Sequence, residues 1–131
     1  MYDSMLYYTA VPILLGGSPR MAGRIAADLF LRHGISTHWY GRGWHPLIAV
    51  YAKRHPVSLP FSEVNDGIMV RLLRGFEKQQ RYTGGISCLI PCSEEAEQFL
   101  MRAREELEER FVILDRPAEG SDPLCGLVHG Y

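Results

Sequence analysis

A chain of 131 residues with 47% hydrophobic and 22% charged residues is sized for one globular domain around one core. Its formal net charge of −1 excludes the broadly basic field that draws proteins to nucleic acid or anionic membranes. Cys88, Cys92 and Cys125 are odd in number and not spaced Cys-x-x-Cys, which excludes a ready disulfide framework. The apolar stretch Leu6–Leu15 is too short to span a bilayer and has no basic flank before it. The expectation is a reduced, cytoplasmic protein with no membrane and no nucleic-acid partner. Twelve arginines stand against two lysines, which reflects either coding composition or arginine-rich recognition of carboxylate and phosphate.

Residues 1–10 form a lead-in. Val11–Leu15 is a continuous apolar run, the pattern of a parallel strand buried on both faces, with Pro12 tolerated near its start. Gly16-Gly17 ends it. Ser18 suits a helix N-cap and Pro19 the first helical position. Met21 or Ala22, Ile25, Ala26 and Leu29 then recur at helical spacing, between Arg20, Arg24, Asp28 and Arg32. Gly34 suits the end of that helix, and Ile35–Tyr40 a second strand. After the turn Gly41-Arg-Gly-Trp-His-Pro46, Leu47–Arg54 is expected as a short helix. Val57–Leu59 is expected as a third strand between Pro56 and Pro60.

Asp66 precedes a second long helix with Met69, Leu72, Leu73 and Phe76 on one face, and Ile86–Pro91 reads as the fourth strand. Ser93 opens a last helix whose buried face is Ala96, Phe99, Leu100, Ala103 and Leu107, with Glu106 and Arg110 as an i, i+4 pair. Phe111–Leu114 suits a final short strand, and a Pro-, Gly- and Asp-rich tail follows. The alternation predicts an α/β, Rossmann-like three-layer α/β/α domain. Its sheet is mostly parallel, of four or five strands, in the order 3-2-1-4. The domain is expected over residues 11–117, with 118–131 as a tail.

Ligands of open α/β sheets bind outside the carboxyl ends of the strands, at the switch point between the first and fourth. The candidate contacts there are Gly16, Gly17, Ser18 and Arg20 after strand one, Arg42 after strand two, and Ser93 and Glu94 after strand four. Glycines and a helix N-terminus suit an anion, Arg42 a phosphate or carboxylate, and Glu94 an amine or hydroxyl. The first loop fits neither the G-x-G-x-x-G dinucleotide fingerprint nor a Walker loop. No acidic residue ends strand two to hold a ribose. The five histidines show no metal-ligand spacing within one element, and no Gly-x-Ser-x-Gly elbow exists, so no metal site and no catalytic residue is assigned.

Six segments, in order, carry a resemblance. They are Pro12-Ile-Leu-Leu-Gly-Gly-Ser18, Arg24-Ile-Ala-Ala-Asp-Leu29, Gly34-Ile-Ser-Thr-His-Trp-Tyr40, Ala52-Lys-Arg54 with Leu59-Pro60, Leu89-Ile-Pro-Cys-Ser-Glu-Glu95 and Arg104-Glu-Glu-Leu-Glu-Glu-Arg-Phe111. Together, over residues 11–117, they resemble the N-terminal pre-ATP-grasp domain of ATP-grasp carboxylate–amine ligases of the D-aspartate ligase type. In that family a Pro-Thr-Ser-Asp-Glu-like turn follows the fourth strand; here Cys92 stands for the Thr and Glu94 for the Asp.

The resemblance implies a substrate-side or docking module. ATP and magnesium belong to the catalytic domains of such ligases, and this chain alone is expected to hold neither and to be non-catalytic. The partners implied are a small carboxylate or amino-acid-like ligand and a separate ATP-grasp subunit. The alternative is a structural protein that forms a homodimer, with Leu124, Leu127, Val128 and Tyr131 of the tail packing on a twin chain. A small Rossmann-type enzyme of another class is the third reading.

Overall fold

The computed structural model of the chain describes residues 10–57, 65–80 and 84–125. The elements run β1 (Ala10–Leu15), α1 (Pro19–His33), β2 (Thr37–Gly41), α2 (Pro46–Tyr51), β3 (Ala52–Pro56), α3 (Asp66–Gln80), β4 (Ile86–Pro91), α4 (Glu94–Arg102), α5 (Arg104–Leu107) and β5 (Val112–Ile113). All five strands pair in parallel, in the order β3-β2-β1-β4-β5. The expected 3-2-1-4 arrangement is present and is extended by β5 at one edge.

The apolar run of β1 is explained by its central place. Ile13 and Leu15 enter a core with Met69, Leu73 and Phe76 of α3 and Phe99 and Leu100 of α4. Ala10 and Leu14 enter a second core with Ala22, Ala26 and Leu29 of α1 and Ile48 of α2. Helices therefore cover both faces of the sheet, as in a doubly wound Rossmann-like fold. Pro12 sits inside this central strand without a lost bond on the β4 side. Leu15 there accepts from the Cys92 N–H, whereas Gly16 donates to Tyr40 of β2. Parallel strands alternate sides residue by residue. The Pro12 nitrogen thus faces β2, whose pairing with β1 begins only at Ile13.

Helix α1 has the ends that its sequence announces. The Ser18 hydroxyl accepts from the Met21 N–H at 3.1 Å, and Gly34 closes the helix at φ +68° with its N–H donating to Phe30. Gly23 lets α2 approach, since a Cβ there would lie 2.6 Å from the Leu47 Cβ.

Three expectations are corrected. The third strand is Ala52–Pro56 rather than 57–59, and the helix before it stops at Tyr51. This strand is polar because it is an edge: Lys53 and Arg54 are exposed and Pro56 ends it, devices that protect an unpaired edge. Residues 58–64, where part of the expected strand falls, lie outside the described residues. The last helix is broken at Ala103 into α4 and α5, although all five residues of its expected apolar face are buried. Arg110 pairs with Glu77 of α3, at 3.6 Å, and the i, i+4 pair of this region is Arg104 with Glu108.

Residues 120–124, beyond β5, pack on the body of the fold. Arg32 of α1 donates to the Gly120 carbonyl at 3.1 Å, and His33 lies 2.8 Å from Asp122. Leu124 is fully buried in the α1–α2 core, so it is not the exposed dimer residue the tail reading required. Leu127, Val128 and Tyr131 lie outside the described residues.

Candidate functional site at the sheet switch point

The loops after β1 and β4 meet where the strand order reverses. Gly17 has φ +77°, and a Cβ on it would lie 2.7 Å from the Cys92 carbonyl oxygen. Both the left-handed backbone and the contact demand glycine at that position. Gly16 is tied down on two sides. Its N–H donates to Tyr40, and its carbonyl accepts from the buried Trp39 indole at 2.8 Å. Its polar groups are thus spent on holding the loop. Ser93 caps α4 by accepting from the Ala96 N–H at 3.2 Å, as Ser18 caps α1.

Outside this junction runs a groove of about 870 Å³. One wall is the solvent-facing stripe of α1, with Arg20, Arg24, Asp28 and Arg32. The other is formed by residues 116–121 and Pro123, and Gly17, Ser18, Cys92 and Ser93 close its inner end. Four of the predicted contacts, Gly17, Ser18, Arg20 and Ser93, therefore come together on this groove. Gly16 is buried behind it. Arg42 and Glu94 are exposed and line none of it, although Gly43 beside Arg42 packs on the Pro19 ring.

The charge of the groove is set by Arg20, Arg24, Arg32 and Arg116 against Asp28 and Glu119. Asp28 is engaged by Arg32 at 2.8 Å, and Arg116 stands 3.9 Å from Glu97 of α4. Arg20 and Arg24 form no ion pair among the described residues. Two free guanidinium groups beside a helix N-terminus favour an anion, and their planar forks match a carboxylate. Arg24, Asp28, Arg32 and the 116–123 wall were not among the predicted contacts. Their signal is the spacing of Arg20, Arg24, Asp28 and Arg32, which marks one helix stripe and equally suits a plain solvated face.

Elsewhere the sheet brings together histidines that the sequence scatters. Nδ1 of His38 on β2 and Nε2 of His55 on β3 lie 3.0 Å apart, sharing one hydrogen. Tyr40 stacks on His55 with centroids 4.5 Å apart, and the Phe76 edge meets His38 at 4.6 Å. Burial, then the neighbouring His55 and Lys53, pushes His38 down to about 4; burial lowers His55 too and raises the Tyr40 phenol to about 12. Cys88 and Cys92 are buried free thiols pushed up to about 12, which suits packing rather than nucleophilic chemistry. Among the described residues no group of three His, Cys, Asp or Glu side chains is placed to hold a metal ion. Among them, too, no helix is long and apolar enough to cross a membrane.

No protein-family model matches the chain, and comparison with curated proteins and with solved structures returns no match either.

Proposed function

We propose that this chain is a Rossmann-like binding domain of the pre-ATP-grasp kind, non-catalytic by itself. Its switch-point groove takes a small carboxylate or amino-acid-like ligand on behalf of a separate ATP-dependent ligase subunit. The observation that supports this reading is the pair of unengaged guanidinium groups, Arg20 and Arg24, in the groove between α1 and residues 116–123. The order of the motifs resembling the pre-ATP-grasp domain points the same way.

Calorimetry of the full chain with L-aspartate, succinate and magnesium-ATP tests the reading. A dicarboxylate or amino acid binds saturably, and Arg24→Ala weakens it about tenfold, the loss of one charge-assisted hydrogen bond. Tight binding of magnesium-ATP by this chain, or carboxylate binding indifferent to Arg20→Ala and Arg24→Ala together, sinks it.

A homodimer is the second reading, and exposed apolar surface on the α1–α2 side favours it. Leu31 and Val50 are 76% and 70% exposed, and Phe30 of α1 stands against Tyr51 of α2 with ring centroids 5.5 Å apart. Sedimentation of a strict monomer at high concentration removes this reading.

A further inference from the structure

A row of unneutralised cations lies on α3, on the opposite face of the sheet from α1. Arg71, Arg74 and Lys78 are exposed and follow one another at i, i+3 and i+7, one stripe of the helix. None of the three forms an ion pair or hydrogen bond through its side chain among the described residues. The carboxylates of their own helix are engaged elsewhere. Asp66 accepts from Arg102 at 2.7 and 3.1 Å, and the buried Glu77 is approached by Arg110 at 3.6 Å. Like charges at this spacing repel and weaken a helix, and an anion lying along the stripe removes that cost.

The stripe borders a groove of about 710 Å³, whose far side is formed by Glu106 of α5 and by Arg110. With Arg110 turned to Glu77, the groove sets three free cations against one carboxylate. Gly75 lines it between Arg74 and Lys78, in the interior of α3. A glycine there lowers helix stability relative to alanine. Packing does not require it, since a Cβ on Gly75 would meet nothing within 4 Å, and its φ is not positive. The bare backbone does let a ligand come close to the helix beside the cations.

A carboxylate offers two oxygens and a phosphate three, so three separate cationic groups suit a phosphate better. Arginine grips it with a fork and lysine as a point charge. The stripe from Arg71 to Lys78 rises about 10 Å along the helix, more than one phosphate spans, which calls for two joined phosphates. The groove has no wall for a nucleobase: Val70 is the one apolar side chain among its described lining residues and is 4% exposed. Magnesium-ATP, whose metal already engages its phosphate oxygens, is not a ligand of this kind of site.

We propose that the groove between α3 and α5 binds a small diphosphate anion, held by Arg71, Arg74 and Lys78 above Gly75. The site is separate from the switch-point groove and does not depend on what that groove binds.

Titration of the full chain with inorganic diphosphate, followed by calorimetry and by amide NMR shifts, tests it. Saturable one-to-one binding is expected, weakened by salt, with the largest shifts at residues 67–78 and 106–110. Arg74→Ala lowers the affinity about tenfold or more, the loss of a charge-assisted hydrogen bond, and Lys78→Arg largely retains it. Gly75→Leu leaves the unligated chain as stable as before or more so, because leucine favours a helix, yet it fills the groove and abolishes saturable binding. Arg20→Ala and Arg24→Ala together leave the affinity unchanged. The replaced side chains are exposed, so the variants fold. Any of four results overturns the proposal. They are absence of saturation by about 10 mM diphosphate, beyond which binding is too weak to be specific, wild-type affinity in the Arg71→Ala, Arg74→Ala double variant, wild-type affinity in Gly75→Leu, and equal affinity for a decaglutamate peptide. The last marks the stripe as a docking surface for acidic protein segments instead.

Discussion

His38 and His55 illustrate how a single pair ties strand register to pH. The β2–β3 register sets Tyr40 opposite His55 and His38 opposite Lys53, which brings the two imidazoles within 3.0 Å. The folded chain holds His38 near 4, against 6.5 for the free side chain, so the unfolded chain takes up protons that the folded one refuses. The pair's contribution to stability is complete above pH 6.5 and is lost as pH falls toward 4. Thermal unfolding followed from pH 7.5 to 4.5 should show this decline, and His38→Gln should flatten it. A wild-type profile as flat as that of the variant refutes the assignment. Neither histidine stands out in the sequence, because their contact spans two strands and depends wholly on which strands pair. Gly17, by contrast, is legible as a turn glycine, but its contact with Cys92 is a tertiary fact.

The helices carry their boundaries in local chemistry. Ser18 and Ser93 each precede a helix, and each hydroxyl accepts from the backbone N–H three residues on. Replacing either by Ala costs about 1 kcal/mol of stability, measured by denaturant unfolding. Ser18→Ala should also weaken the ligand binding proposed for the groove, since it loosens the first turn of the wall that carries Arg20. An effect under about 0.3 kcal/mol at both positions is too small for a capping residue and refutes the role. Strands β1 and β4 are legible for a similarly local reason, since their apolar runs demand burial on both faces, whereas β2 shows in the strand-favouring Thr37, Trp39 and Tyr40. β3 is not legible, because an edge strand needs only one buried face and keeps Lys53 and Arg54 in water. The break at Ala103 has no sequence signal either, since the apolar spacing continues through it.

The fold as a whole is closed by the segment after β5. Arg32 and His33 near the end of α1 hold Gly120 and Asp122, and Leu124 fills the core beneath. Leu124→Ala should therefore destabilise the entire domain by about 2–5 kcal/mol, as truncation of a buried Leu does, and not merely loosen a tail. Urea unfolding measures it, and a loss below about 1 kcal/mol shows the segment to be dispensable to the core. The same substitution should weaken the carboxylate binding proposed for the groove, because residues 116–121 and Pro123 form one of its walls.

Composition and periodicity by themselves determined the α/β class, the central place of the first strand, the two capped helices that follow β1 and β4, and the end of the sheet where a groove should lie. These follow from short-range rules: side-chain spacing, capping and turn chemistry act within a few residues. The tertiary structure alone decided the place of the fifth strand beside β4, the polar edge strand, the His38–His55 pair and the packing of residues 120–124 on the body of the fold. It also decided which predicted contacts share the groove: Gly17, Ser18, Arg20 and Ser93 do, while Gly16, Arg42 and Glu94 do not. Each of these depends on which distant segments become neighbours. That is set by burying two faces of one sheet at once, a constraint no window of the sequence contains.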